Sequence, residues 1–320
     1  MTKDEILNML RSASAPISGE EMSRALGVSR AAVWKAVDQL RQEGYAIEAA
    51  TRRGYRLAAL PDRLDAAVIA GDTGADVHVY EEVTSTNTVA RQLAADGCPA
   101  GTCVLAERQT AGRGQRGHKW SSAEGLNLTF SLVLEPRFLP AGEQFLLNEA
   151  VALALTDTFA QFGIAARIKW TNDIYAGDKK LVGILIEHSY SGQTLARTIV
   201  GIGINVNQTE FDPALPNPVS MAMVAGRTFD RGEVLEAFRR HIGIRYAQLE
   251  LNERETLQRD YRERMYRLGE RHTFRYPDGT PTEASIEGVR PTGELLLRHA
   301  DGTLREYLFK EIEFVIEKTQ

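Results

Sequence analysis

The chain has 320 residues, 43% of them hydrophobic and 25% charged, which suits two or three globular domains, each with a sizeable core. No apolar run reaches the roughly 18 residues of a membrane span, and Met1-Thr2-Lys3-Asp4-Glu5-Ile6 carries charge before any apolar leader could form, so a cytoplasmic protein with no membrane partner is expected. Two cysteines, Cys98 and Cys103, are too few for a disulfide framework, and six scattered histidines offer no metal-ligand spacing, so no protein-built metal site is expected; the net charge of −5 does not point to a nucleic-acid partner.

The first sixty residues nevertheless hold nine Lys and Arg against seven Asp and Glu, and between Val28 and Arg56 the balance is six against three. Ile6, Leu7 and Leu10 give a helical period over residues 3–11. Ser18-Gly-Glu-Glu21 is a capping box opening a short helix that Gly27 ends. Ser29 caps a third helix with an apolar stripe of Ala32, Val33, Ala36, Val37 and Leu40 and a stop at Gly44. Residues 45–48 and 54–57 flank Arg52 and Arg53 as a β-hairpin. Helix, glycine turn, helix and hairpin together resemble a winged helix-turn-helix, with Ser29, Arg30 and Lys35 toward the major groove of operator DNA and Arg52 and Arg53 on phosphate. Trp34 is assigned to the core.

After a linker at Leu60-Pro61-Asp62, a helix is expected over 86–95 and a strand over 101–107. Residues 112–122 follow as Gly-Arg-Gly-Gln-Arg-Gly-His-Lys-Trp-Ser-Ser, three glycines that free backbone N–H groups to wrap an anion, with Arg113, Arg116 and Lys119 adding charge. The letters G-x-G-x-x-G at 112–117 also spell a dinucleotide fingerprint, but that motif opens a helix. This loop leads instead into residues 126–134, whose leucines and Phe130 at alternate positions predict a half-buried strand. Residues 143–162 form an apolar helix ended by Gly163. Strands are expected at 166–170, 180–190 and 195–207, the last two joined by Ser191-Gly-Gln-Thr194. One charged helical region covers 232–265, and short strands with Asp-Gly and Thr-Gly turns run from Glu270 as a small barrel or sandwich.

Ser85-Thr86-Asn87, Gln109, the glycine loop, Lys169-Trp-Thr-Asn-Asp173 with Lys180-Leu-Val-Gly-Ile-Leu-Ile-Glu187, and Gly201-Ile-Gly-Ile-Asn-Val-Asn207 are five ordered motifs. Together they resemble the biotin protein ligases of the bifunctional ligase and repressor type. Thr171 stands where that family usually has proline, and Gln115 and His118 where it often has arginine. The resemblance implies an α/β (α+β) multidomain chain. Residues 1–60 would be the winged helix, 65–268 a mixed-sheet domain like the class II synthetase-related biotin and lipoyl ligases, and 269–320 a small SH3-like β-barrel.

The same resemblance implies ATP, biotin and Mg²⁺ as reactants and cofactor, a biotin carboxyl carrier protein whose lysine is the acceptor, operator DNA, and a homodimer when the adenylate is bound. Biotin would meet Ser85, Thr86, Asn87, Gln109, Gly112, Arg113, Lys180, Gly183, Gly201 and Gly203. The adenylate would meet Arg113, Gly114, Arg116, Trp120, Asn172 and Asn205, with Lys180, Arg113 and Asp173 nearest the chemistry. Two other readings are weighed beside it: a lipoate ligase, which usually lacks this loop, and a sensor without catalysis, against which Lys180 argues.

Overall fold

The computed structural model describes residues 2–13, 15–42, 45–50, 54–59, 64–71, 75–114 and 119–316. It divides into two compact units, residues 1–63 and 64–320.

In the smaller unit, helices α1 (Thr2–Ser12), α2 (Gly19–Leu26) and α3 (Arg30–Gln42) precede an antiparallel hairpin of β1 (Ala46–Ala50) and β2 (Gly54–Ala59). The Ser18 hydroxyl accepts from the Glu21 N–H, and Gly27 closes α2 at φ 65, a left-handed conformation that costs a residue without Cβ little. The Ser29 hydroxyl accepts from the Ala32 N–H at 3.1 Å. The α3 stripe buries Val33, Val37 and Leu40 on Ile6, Leu10 and Met22. Trp34 is a correction: one step off that stripe, it is 60% exposed, outside the core assigned to it. Gly44, Arg52, Arg53 and the proposed linker lie outside the described residues.

The larger unit opens with α4 (Ala66–Ala70), then β3 (Val77–Val83), α5 (Thr86–Ala95), β4 (Cys103–Gln109), β5 (Leu128–Leu134) and α6 (Phe145–Gln161). Next come β6 (Arg167–Lys169), β7 (Asp173–Ala176), β8 (Lys179–Ser191) and β9 (Thr194–Ile204). Among the described residues these strands make a seven-stranded sheet ordered β3-β4-β5-β9-β8-β7-β6. Only the β3–β4 pair is parallel, joined through α5; the other pairs are antiparallel. Strand β5 is buried along its whole length, not half-buried. Its neighbours explain this: Val133 packs with Ala90 of α5 on one face, while Phe130 and Leu132 join the α6 core on the other.

The charged region after the prolines is α7 (Met221–Ala225), α8 (Arg231–Glu250) and α9 (Arg254–Glu263), so the single stretch expected over 232–265 breaks at Leu251–Glu253. Arg245, largely buried, ties the pieces by meeting Asp157 of α6 and Asp260 of α9 at 2.8 Å each. Strands β10 (Arg271–Arg275), β11 (Pro281–Val289), β12 (Leu295–His299), β13 (Leu304–Tyr307) and β14 (Glu313–Phe314) form an antiparallel sheet ordered β13-β12-β11-β10-β14. Its Phe274, Ile286, Leu295 and Leu297 belong to the same apolar core as α6 and the large sheet.

Candidate active site

A cavity of about 280 Å³ lies against β8 and β9 and is walled by residues from every one of the five sequence motifs. Ser85 caps α5 without using its hydroxyl for the cap, so that group remains for the cavity it lines. Thr86 is fixed from below: its N–H donates to Gln109 Oε1 at 2.8 Å and its hydroxyl lies 2.8 Å from Ser131 Oγ. Ser131 also reaches Asn87 Oδ1 at 2.6 Å, and Asn87 Nδ2 donates to Glu187 at 2.8 Å. Asn87 and Ser131 are almost fully buried, a satisfied network that rigidifies this wall.

The glycines make room for side chains. A Cβ at Gly201 would fall 2.1 Å from Asn87 Oδ1, one at Gly203 2.2 Å from the Trp120 indole, and one at Gly183 3.0 Å from the same ring. Trp120 therefore lies flat over two glycines of adjacent strands, and its indole N–H is buried with no partner among the described residues. Gly112 stands outside the cavity lining and lets the chain pass close to the Trp120 carbonyl, 2.4 Å from where its Cβ would be.

At the far end, Lys180 Nζ meets Asp173 Oδ1 at 2.7 Å, with the ammonium 6.0 Å from the Trp120 ring centre. Cross-strand register places Asp173 opposite Gly183. Asn172 is taken up in fixing the turn: its amide donates to the Ile184 carbonyl and its Oδ1 accepts from Thr171 at 2.9 Å. Arg113 reaches Glu187 at 3.5 Å and Thr88 at 3.3 Å and stays exposed to the cavity mouth. Asn205 is buried behind the sheet, donating to the Val219 carbonyl at 3.1 Å, and does not line the cavity. Arg116, Gln115 and His118 lie outside the described residues.

Sequence reasoning missed several wall residues. Lys169 lines the cavity with its ammonium 5.3 Å from the Tyr175 ring centre and 4.8 Å from that of Phe314; burial, partly offset by Asp173, holds its pKa below the usual lysine range. Its place in the Lys169-Trp-Thr-Asn-Asp173 motif was the available signal. Phe309 arrives from the C-terminal sheet, and nothing in the local sequence marks it. Trp170 is tied to that sheet by its indole N–H, which donates to the Gly293 carbonyl at 2.9 Å. In all, Arg113, Lys119, Lys169 and Lys180 face one carboxylate, Asp173, in this lining, an environment for a polyanion. Among the described residues no group of three or more His, Cys, Asp or Glu could hold a metal ion, and no helix is long and apolar enough to cross a membrane.

A mixed sheet whose glycine-floored cavity gathers lysine and arginine, in a chain that also carries a helix-turn-helix unit, is the architecture of a ligand-activating enzyme joined to a DNA reader. Comparison with known proteins agrees. The biotin/lipoate A/B protein ligase family matches residues 79–205, and an HTH domain matches residues 2–56. The bifunctional ligase/repressor BirA of Bacillus subtilis is 40% identical over 245 residues, 74% of this chain and 75% of that protein. BirA of Escherichia coli is 32% identical over 75% of this chain and 74% of its own length. A biotin protein ligase from Aquifex aeolicus, solved in complex with biotin and ATP, superposes with a TM-score of 0.64 at 27% identity, covering 76% of this chain and 99% of that one. The chain belongs to the biotin protein ligase family, in its bifunctional ligase/repressor branch.

Proposed function

We propose that this protein joins biotin to ATP as biotinyl-5'-AMP, passes the biotinyl group to one lysine of a biotin carboxyl carrier protein, and represses transcription when the adenylate is held. The observation that carries the reading is the cavity itself, a glycine floor with Lys180 and Asp173 at one end and the cationic Arg113 loop at the other. A biotin carboxylate oxygen attacks the α-phosphorus, the bond to pyrophosphate breaks, and the carrier amine then attacks the acyl carbon and releases AMP. Lys180 offsets the charge that builds at the carboxylate and phosphate. Ser85, Thr86 and Gln109 suit a neutral polar ring, and the loop glycines with Arg113 and Arg116 suit phosphate. The indole of Trp120 covers the strip over Gly183 and Gly203 and stacks on the adenine or closes the pocket.

Among the described residues no group of three or more His, Cys, Asp or Glu could hold a metal ion, and Asp173 is engaged by Lys180. Mg²⁺ would arrive with the triphosphate, whose oxygens supply its ligands. Residues 1–60 carry DNA binding, 65–268 the chemistry, and 269–320 complete the cavity wall through Phe309. With the adenylate bound, two chains pair and set two α3 helices on a palindromic operator.

The test is acid-dependent ATP–pyrophosphate exchange, with biotin and lipoate compared. Biotin supports exchange in the wild type, and Lys180→Ala lowers it on the order of 10²-fold. Exchange with lipoate alone, or a Lys180→Ala rate equal to wild type, overturns the assignment. For the repressor half, gel-shift affinity that is the same with and without biotin plus ATP removes the adenylate as corepressor.

A further inference from the structure

Strand β5 begins at Leu128 opposite Ile204, where β9 stops, so the chain entering β5 and the chain leaving β9 lie side by side. The entering chain carries Trp120. The leaving chain runs on to Lys180, whose N–H donates to the Asn217 carbonyl at 2.7 Å and whose carbonyl accepts from the Val219 N–H at 3.0 Å.

Asn127 joins the two. It is 3% exposed, and both ends of its carboxamide are used. Its Oδ1 accepts from the Val206 N–H at 2.9 Å, while Nδ2 donates to Gln208 Oε1 at 2.5 Å and to the Ser122 hydroxyl at 3.1 Å. Gln208 Oε1 accepts a second bond from the Ala123 N–H at 3.1 Å, and its Nε2 donates to the Glu210 carbonyl at 2.7 Å, which fixes the way round that this amide lies. The Asn127 carbonyl accepts from the buried Arg231 guanidinium at 3.1 Å, so the junction has a rigid base. A buried amide is retained where its donors and acceptors are met; here each side-chain partner lies on the two segments that flank the cavity.

The junction holds Trp120 from one side. On the other, the Trp120 N–H donates to the Gly112 carbonyl at 3.0 Å. The indole itself makes no hydrogen bond among the described residues, so its place over Gly183 and Gly203 is set through the backbone on its two flanks. Resting on the ligase reading above, we infer that Asn127 and Gln208 are a positioning pair: by fixing Ser122 and Ala123 they hold the Trp120 indole over the glycine floor and set how tightly the biotinyl ligand is retained. Neither residue lines the cavity, so the pair acts on binding and leaves the reacting atoms alone.

The test separates binding from chemistry. Asn127→Asp keeps the shape and the acceptor for Val206 but removes both side-chain donors; Gln208→Leu removes the shared acceptor, and Gln208→Glu restores it as a carboxylate. In biotin-dependent pyrophosphate exchange, Asn127→Asp and Gln208→Leu raise the KM for biotin about 10-fold with kcat within about two-fold of wild type, as loss of uniform binding does. Gln208→Glu stays within about two-fold of wild type in both constants, because a carboxylate accepts from the same two N–H groups. Asn127→Asp combined with Gln208→Leu is no worse than the poorer single variant, since both remove one contact. Iodide quenching of Trp120, taken as the difference from each variant's Trp120→Phe counterpart, rises in the two disruptive variants and not in Gln208→Glu. An unchanged KM in Gln208→Leu, a Gln208→Glu variant as poor as Gln208→Leu, additive losses, or a fall in kcat alone each overturn the role of the pair. Should Asn127→Asp fail to fold, the two Gln208 variants decide. Absence of exchange in the wild type sinks the ligase reading instead, and the quenching series still tests whether the pair places Trp120.

Discussion

Glu149 sits on α6 at 2% exposure, one carboxylate oxygen without a partner among the described residues, near the equally buried Tyr261 hydroxyl. Burial pushes its pKa up to about 8 from 4.5, so the folded protein holds this proton more tightly than the unfolded chain does. The stabilisation is complete below pH 4.5 and is lost as pH rises toward about 8, at no more than about 1.4 kcal/mol per pH unit. Glu149→Gln, uncharged at every pH, should flatten that part of the stability curve; urea midpoints at pH 5, 6.5 and 8 decide it, and parallel curves would refute it. Gly203→Ala puts a methyl group into the Trp120 ring and should displace the indole and weaken biotin binding roughly 5- to 150-fold, measured by calorimetric titration, as overpacking of about 1–3 kcal/mol implies. Trp34→Ala removes an exposed side chain from α3, so it should change the unfolding midpoint little but reduce discrimination between operator and random DNA by about 10-fold, as loss of one apolar base contact does. Competition gel shifts measure that ratio.

Helix α8 begins at Arg231, 1% exposed, whose guanidinium meets Glu107 of β4 at 2.7 and 3.2 Å and the Asn127 carbonyl at 3.1 Å. Glu107 also accepts from the Leu64 N–H at 3.2 Å, so one carboxylate pins a helix and the start of the unit to the sheet. Arg231→Ala leaves that carboxylate buried without its cation and should cost about 3–5 kcal/mol in denaturant unfolding, while Arg231→Met with Glu107→Leu should cost far less. A small loss in the single variant would mean that water reaches Glu107. Elements whose signals are local were legible: the Ser18 and Ser29 caps, α5, and the paired strands β8 and β9, whose turn at Ser191–Thr194 is as read. Strand β5 was misjudged as half-buried because alternation of leucine reports one face, whereas Val133 and Ser131 are buried on the other by α5 and Asn87. The break between α8 and α9 lacks glycine and proline; Asn252 at φ 62 makes it, and asparagine was the available signal. Trp34 sits off the stripe of Val33, Val37 and Leu40, so the helical period itself argued for exposure. The cavity motifs were readable as a set, but Phe309 reaches the site, and Ser131 the network behind its wall, through tertiary packing alone.

With two compact units within one chain, the two activities should be separable. Removing residues 1–60 should abolish DNA binding while sparing most of the biotin-dependent exchange, and joint loss would show that the larger unit depends on the smaller. Arg52→Ala with Arg53→Ala should weaken binding to all DNA and lower the salt slope by roughly one to two units, read from gel shifts at several salt concentrations. The chain also holds three tryptophans, and each reports a different place. Trp34 is 60% exposed on α3, Trp170 is 4% exposed against the C-terminal sheet, and Trp120 lies over the glycine floor. An aqueous quencher such as iodide will silence the emission of Trp34 first and spare Trp170, and cavity occupancy will alter that of Trp120. The protein thus carries one exposed optical label on α3 and two, Trp120 and Trp170, in the lining of the ligand cavity.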